Sequence, residues 1–395
     1  DLHLCDRRQR QMCIRDRGIK VGKIKILQSV GSLGIGGNEM FVMNFFRHLD
    51  KTKYQVDFLI FENRLDFYDE VKEAGSKVFI CPEIKGNKLK QLIHQMRYVN
   101  KILKNNKYDV LHCHGCSFVN IMRSSIPGWK KKNIKVITHS HNTGMPKNTK
   151  IDDILRFFLK WILSHTVNYG LACSDLAGES KYTKKFIHSS QYGLIHNAIE
   201  VDKYRFNTEK REKIRTSIGL IENDILIGNI GRLAEQKNQK FLISLLRKIN
   251  DKYPNIYLII VGGGDLEKNL KRQAKDLNIE KNIIFTGSVN NAMDYYSAMD
   301  VFVMPSLYEG LPFTAVEAQV NGLKCVMADT ITKMVNISGD VSFLSLRQKK
   351  EDWIDTILEN SRSRSSKQNN QIVCKKYDLN NEVKRLESYY DLKMR

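Results

Sequence analysis

Two carboxylates, Glu309 and Glu317, stand with seven residues between them in the segment Pro305-Ser306-Leu307-Tyr308-Glu309-Gly310-Leu311-Pro312-Phe313-Thr314-Ala315-Val316-Glu317-Ala318. The apolar run Val301-Phe302-Val303-Met304 before it reads as a strand ending at Pro305. Pro312 suits the first turn of a helix. Glu309 is then on a loop and Glu317 inside the helix that follows. Both carboxylates, with the free backbone N–H groups of the helix start, face the C-terminal edge of a parallel sheet. Ligands of open α/β sheets bind there, and helix N-termini attract phosphate. Alone, such a pair is the pattern of two solvated helix residues; its companions give it meaning.

The first companion is Gly231-Arg232-Leu233-Ala234-Glu235-Gln236-Lys237-Asn238, where Arg232 and Lys237 follow a strand that ends near Gly231. An anionic leaving group at such a point would gain negative charge as its bond breaks. Two cations at that point stabilise the transition state more than the ground state. Elsewhere a divalent metal does this job. No Asp-x-Asp pair stands at a strand end to hold Mg²⁺, since Asp152-Asp153 opens an amphipathic helix. Neither a metal nor a cofactor is therefore expected. The second companion, Gly31-Ser32-Leu33-Gly34-Ile35-Gly36-Gly37-Asn38-Glu39, follows the first strand and opens a helix. Its glycines let backbone N–H groups approach an anion, although it departs from a strict dinucleotide fingerprint. Thr138-His139-Ser140-His141-Asn142-Thr143 ends another strand, and imidazole suits a polar role at neutral pH. Cys113-His114-Gly115-Cys116 with His112 could bind metal or do redox chemistry, but no second cysteine pair accompanies it.

These residues need a scaffold of alternating strands and helices, the signature of a parallel sheet flanked by helices. In the first half the strands are 25–30, 56–61, 78–80, 109–112 and 136–139. Leu89, Leu92, Ile93, Met96, Val99 and Leu103 recur at helical spacing between them. A further helix, Ile151 to Leu163, could cap a site or meet a membrane, and reads first as a packed core helix. The second half restarts the pattern with strands 225–230, 256–261, 283–285, 301–304 and 325–327, each suited to burial on both faces. The polar stretch Val201 to Asn223 reads as a linker, and Ser361 to Asn370 as a flexible loop.

The 395 residues suggest two or three domains. No run of 18 or more apolar residues suggests a transmembrane helix. The leader, residues 1–20, has no apolar core and resembles translated adaptor sequence, so it is set aside as non-native. The formal charge is +21, which allows an anionic membrane, an anionic substrate or nucleic acid as partner. The lysines are scattered and no nucleic-acid motif appears. The membrane surface is the first expectation, composition drift the second, and no nucleic-acid partner is expected. Most cysteines sit in apolar contexts, as buried thiols of a reducing compartment do.

The Glu pair with Gly-Leu-Pro after its first member, preceded by the Arg/Lys segment, resembles the retaining glycosyltransferases of family 4. The resemblance runs from about Lys23 to about Tyr390 and is strongest to bacterial capsular and exopolysaccharide enzymes. It implies an α/β protein of the GT-B fold, two Rossmann-like domains with parallel sheets facing across a cleft. The expected boundaries are 21–200 for an acceptor-binding domain, 201–375 for a nucleotide-sugar domain, and 376–395 for a helix crossing back to the first. By resemblance Gly36 and Gly37 lie against the donor diphosphate, and Arg232 and Lys237 bind it. Glu317 holds the ribose hydroxyls, and Glu309 sits nearer the donor sugar. Leu311, Phe313 and Thr314 line the sugar and phosphate, the latter two through backbone N–H groups that Pro312 cannot supply. Gly287 forms a turn beneath the base, and Val289 touches the base through its backbone. His141 lies over the donor sugar with His139 as the alternative, and Asn197 is near the hinge.

The expected activity is retaining, metal-independent transfer of a sugar from a nucleotide-diphosphate donor, UDP first, to a lipid-linked saccharide acceptor. The expected place is the cytoplasm, peripheral at the inner face of the cytoplasmic membrane. An epimerase of the same fold, or a basic non-catalytic nucleic-acid-binding protein, are the rival readings. Salt-dependent DNA binding without UDP binding would favour the latter.

Overall fold

The computed structural model describes residues 22–131, 133–141, 150–309 and 311–392. The leader, Asn142, Thr143 and Gly310 lie outside the described residues. Two parallel sheets carry the chain. The first holds β1 (Ile24–Ser29), β2 (Tyr54–Ile60), β3 (Val78–Ile80), β4 (Val110–Gly115), β5 (Lys135–Ser140), β6 (Tyr169–Ala172) and β7 (Tyr192–Leu194). The second holds β8 (Ile225–Ile230), β9 (Ile256–Val261), β10 (Ile283–Gly287), β11 (Val301–Met304), β12 (Cys325–Ala328) and β13 (Val341–Leu344). Their orders are β3-β2-β1-β4-β5-β6-β7 and β10-β9-β8-β11-β12-β13.

Each sheet reverses its order once, between β1 and β4 and between β8 and β11. A crevice opens at the C-terminal ends of the strands at such a point. The motif residues follow from this. The Gly31–Gly37 loop leaves β1 and Gly115 ends β4; Arg232 follows β8 and Glu309 follows β11. The strands are apolar on both faces because helices cover both. Trp353, Phe241 and Ile243 pack one side of the second sheet, while Tyr296, Phe302 and Met304 fill the other.

The helix Leu379–Asp391 joins the first domain: Leu379, Val383, Leu386 and Tyr390 are buried with Ile26, Phe41 and Phe58. The two chain crossings between the domains lie side by side. Ile199 N–H donates to the Tyr377 carbonyl at 3.0 Å, and Leu379 N–H to the Ile199 carbonyl at 3.1 Å.

Three expectations are corrected. The stretch read as a linker folds into helices Val201–Tyr204 and Thr208–Ser217, packed on the second domain. Arg211 and Arg215 both reach Asp300, at 2.6 and 3.1 Å, and donate to backbone carbonyls at Ala298. Arg215 is buried and Arg211 half-buried in this ion-pair network, while Glu209, Glu212 and Lys213 of the same helix stay exposed. The segment read as a flexible loop is fixed as well. Arg364 stacks 4.1 Å over Phe206 and donates to the Met299 carbonyl at 2.8 Å, and Ser366 caps the helix Lys367–Lys376. Finally, the helix Lys150–Thr166 is not wholly core: Leu163 is buried, but Ile154, Leu155, Phe157, Phe158 and Trp161 are exposed.

Candidate active site

The second domain supplies the charge. After β8 the chain turns through the single helical turn Glu235–Lys237, and Asn238 takes the left-handed conformation at φ 54°. Its side chain donates to the Pro305 carbonyl at 3.1 Å, tying this turn to the loop after β11. Gly262 is required behind it: at φ 132°, a Cβ there would lie 2.3 Å from the Gly231 carbonyl oxygen. Lys237 Nζ consequently meets Glu309 Oε1 at 2.7 Å, and Gln236 donates to Glu309 Oε2 at 3.3 Å. Arg232 is exposed, and its guanidinium has no hydrogen-bond or ion-pair partner among the described residues. Two of the predicted residues, Lys237 and Glu309, are thus bonded to each other, with both side chains mostly shielded.

Pro312 caps the helix Phe313–Val320 with no side-chain cap and no acid in the first turn. The N–H groups of Phe313 and Thr314 are left for an anion, while that of Ala315 donates to the Pro312 carbonyl at 3.2 Å. The Thr314 hydroxyl beside them is a buried polar atom with no partner among the described residues. One turn on, Glu317 Oε2 accepts from the Tyr296 hydroxyl at 2.5 Å. Burial holds the Glu317 carboxyl above its ordinary pKa, while Tyr296, Tyr204 and Lys237 pull it back down. Lys237 therefore acts on both carboxylates. Phe313 touches the cores of both domains, and Asn197 donates to the Leu311 carbonyl at 3.1 Å, holding the loop from the first domain. Val289 packs on the second domain's core after the Gly287 turn, whose φ is 66°.

The first domain presents imidazoles instead. His141 lies at the end of β5 and lines an interdomain cavity of about 380 Å³. Glu309 and Leu311 face it from the second domain. His139 is a different case. It is fully buried, and neither ring nitrogen makes a well-formed hydrogen bond among the described residues, with the Ile195 backbone as its polar neighbour. The position in the cavity goes to His141, and His139 packs beneath it with ring centroids 4.5 Å apart. The cavity is also lined by Cys173, Ser174 and Leu176 after β6, and by Asp329, Thr330, Ile331, Thr332 and Lys333 after β12. None of these was singled out from sequence. Only their places at strand C-termini could have marked them. Gly36 and Gly37 open the helix Gly37–His48 and do not line this cavity. The Glu39 carboxylate lies against Gly36 and accepts from Ser32 at 3.2 Å. The cysteines of Cys113-His114-Gly115-Cys116 are unbridged, with Cys113 buried and the Cys116 sulfur accepting from Asn38.

Comparison with known proteins agrees with this architecture. Residues 35–203 match the family described as Glycosyltransferase Family 4, and residues 210–372 match Glycosyl transferases group 1. The chain is 29% identical over 340 residues to the protein EpsF of Bacillus subtilis (strain 168), covering 84% of this chain and 86% of that one. It is 25% identical over 316 residues to the Escherichia coli UDP-Gal:alpha-D-GlcNAc-diphosphoundecaprenol alpha-1,3-galactosyltransferase, covering 78% and 80%. Among solved structures, Anabaena Alr3699/HepE in complex with UDP superposes with a TM-score of 0.73 at 18% identity, covering 94% of this chain and 100% of that one. With both halves matched in order and two facing parallel sheets, the chain belongs to the family 4 glycosyltransferases of the GT-B fold.

Proposed function

We propose that this glycosyltransferase moves a sugar from a nucleotide-diphosphate donor, UDP first, to a lipid-linked saccharide in surface polysaccharide synthesis, with retention of configuration. The observation that carries the reading is Lys237 bonded to Glu309, and a helix start whose Thr314 hydroxyl is buried without a partner among the described residues, one turn before Glu317. Such a site fits a diphosphate on the N–H groups and a polyhydroxyl ligand on the carboxylates. The bond from the anomeric carbon to the β-phosphate oxygen breaks as Arg232, Lys237 and the helix start take up the charge. The acceptor oxygen enters on the same face, and its proton passes to the departing phosphate. The donor class draws support from the UDP held by the Anabaena protein, and the acceptor from the diphosphoundecaprenol substrate of the Escherichia coli relative.

No helix among the described residues is long and apolar enough to cross a membrane. A lipid-linked acceptor would instead be met at the surface. Phe157, Phe158 and Trp161 stand exposed on the helix Lys150–Thr166, and the chain's charge is +21. Aromatic rings at the headgroup level plus basic attraction describe an interfacial helix at the inner face of the cytoplasmic membrane.

The test begins with a thermal-shift screen of nucleoside diphosphates, followed by mass spectrometry of products on lipid-linked acceptors with and without EDTA. Stabilisation by one diphosphate and product formation in EDTA are expected. DNA binding without nucleotide binding would overturn the reading. Complete loss on chelation, restored by Mn²⁺ or Mg²⁺, would overturn its metal-free chemistry. Anionic vesicles should pellet the protein at low salt and release most of it near about 0.5 M, where screening acts over a few Å.

A further inference from the structure

Four histidines stack beneath the cavity. His112 and His114 alternate on β4, and β5 brings His139 opposite His114, with His141 next along the same face. Nitrogens of His112, His114 and His139 lie within 4.8 Å of one another. A metal would need their lone pairs to converge. The rings of His112 and His114 instead lie 16° and 26° from the plane of His139. Lone pairs lie in the ring plane, so near-parallel rings point them side by side. His114 also has both nitrogens engaged already.

The stack has a different order: a chain of hydrogen bonds running from the cavity to the C-terminal helix. His141 Nε2 meets His114 Nδ1 at 2.9 Å, and His114 Nε2 meets Gln28 Oε1 at 2.7 Å. Gln28 Nε2 donates to the Tyr390 hydroxyl at 3.1 Å, and that hydroxyl meets His112 Nδ1 at 2.8 Å. Gln28 decides the direction, because an amide oxygen can only accept. His114 Nε2 must carry the hydrogen. A neutral imidazole has one N–H, so His114 Nδ1 accepts and His141 Nε2 donates to it. His141 Nδ1 is then left as a lone pair. At the far end Tyr390 receives from Gln28 and turns its own hydrogen to His112. Rotating the one amide by half a turn would reverse every donor in the chain.

We propose that Gln28, held in place by Tyr390, sets the tautomer of His141 through His114 and presents His141 Nδ1 to the cleft as a hydrogen-bond acceptor. Both are positioning residues. Tyr390 is itself anchored, since Lys135 Nζ donates to its backbone carbonyl at 2.7 Å and to that of Tyr389 at 3.2 Å. Burial keeps all four imidazoles below their ordinary pKa, His141 at about 3, so the chain stays neutral and a single tautomer has meaning at pH 7. The group that Nδ1 accepts from is a hydroxyl of the transferred sugar. That last step rests on the glycosyltransferase reading; the tautomer does not.

The experiment separates the two. The full chain, ¹⁵N-labelled at histidine and free of ligand, is examined by multiple-bond ¹H–¹⁵N spectra, with His141 identified by loss of its signals in His141→Asn. A single His141 form, protonated at Nε2, is expected. Tyr390→Phe keeps the ring packing and removes the hydroxyl. It should give mixed His141 tautomers and lower kcat by about threefold to tenfold, the scale of one neutral hydrogen bond, with UDP affinity by calorimetry unchanged. Gln28→Met, which removes both polar atoms, should mix the tautomers further. His141 protonated at Nδ1 in the unmodified chain would overturn the proposal. So would a Tyr390→Phe protein with unchanged tautomer and kcat. The expected tautomer in a chain that transfers no sugar would uphold the relay and remove the functional reading alone.

Discussion

The two domains present the cleft with the same topology and opposite chemistry. At the switch point of the second sheet stand a free cation, an ion pair and a partly desolvated carboxylate: Arg232, Lys237 with Glu309, and Glu317. At that of the first sheet stand the amide Gln28 on β1 and the imidazole His114 on β4, with His141 past the end of the neighbouring β5, and burial holds the imidazoles uncharged. Charge placed where a leaving group departs stabilises what develops only in the transition state. Neutral, directional donors and acceptors orient a sugar ring without adding charge near it. The fold thus supplies two equivalent crevices, and side chains divide the labour between them.

The sharpest way to break this division is to remove a cation. Arg232→Ala or Lys237→Ala should lower turnover by roughly a hundredfold or more, the scale of one preorganised charge donor. The two should differ in stability. Arg232 is exposed and unpartnered among the described residues, so its loss should leave the melting temperature unchanged. Losing Lys237 strands Glu309, whose side chain is only 9% exposed, and should cost stability as well. Near wild-type kinetics in either variant, measured at saturating acceptor, would dissolve the contrast between the domains.

A smaller effect separates the two carboxylates. Glu309→Ala should mainly lower kcat, and Glu309→Gln shows whether its charge matters. Glu317→Ala should mainly raise KM for the donor. Tyr296→Phe removes the hydroxyl bonded to Glu317 and should raise the same KM by roughly tenfold, as expected for a hydrogen bond to a charged group. Steady-state kinetics on donor and acceptor separately checks the pattern. A swapped pattern would exchange the roles without touching the fold.

How legible this was depended on chain distance. Lys237 and Glu309 were readable because each follows a strand, and a parallel sheet aligns strand ends wherever they fall in sequence. Both Rossmann-like halves were visible for the same reason: strands buried on both faces appear as unbroken apolar runs. Strands β6, β7 and β13 escaped because Tyr169-Gly170-Leu171-Ala172, Tyr192-Gly193-Leu194 and Val341-Ser342-Phe343-Leu344 are short and mixed, the last two also lying at sheet edges. Polar residues misled where they are buried in networks. Arg211 and Arg215 look solvated until Asp300 is brought to them. The residues behind His141's partner His114 were hidden most completely, since Gln28 and Tyr390 are polar residues far apart in the chain with no local signal. His139 lies on β5 and His141 just past its end on the same face, so sequence spacing alone does not separate them.

The smallest effect expected concerns stability, and it asks whether the charged crevice costs the fold anything. Burial raises the Glu317 pKa in the folded chain above its unfolded value. The sign follows from linkage: a raised pKa means the folded state binds the proton more tightly, so stability is favoured below the unfolded pKa and lost as pH rises through the folded one. Where Glu317 is ionised in the folded chain, it is ionised at some cost. Glu317→Gln keeps an acceptor for the Tyr296 hydroxyl but removes the charge. It should raise the melting temperature at pH 7 by about 2–4 °C, the shift that about 1 kcal/mol gives in a domain of roughly 150–250 residues. The gain should fade in buffers below the ordinary carboxylate range, where wild-type Glu317 is protonated as well. Donor binding should weaken in the same variant if Glu317 holds the ribose hydroxyls as proposed. Thermal melts of both proteins across pH, with donor affinity measured alongside, check this directly. A variant that is less stable at pH 7 would mean that Lys237 and the two tyrosines outweigh desolvation, and that this crevice is charged at no cost to the fold.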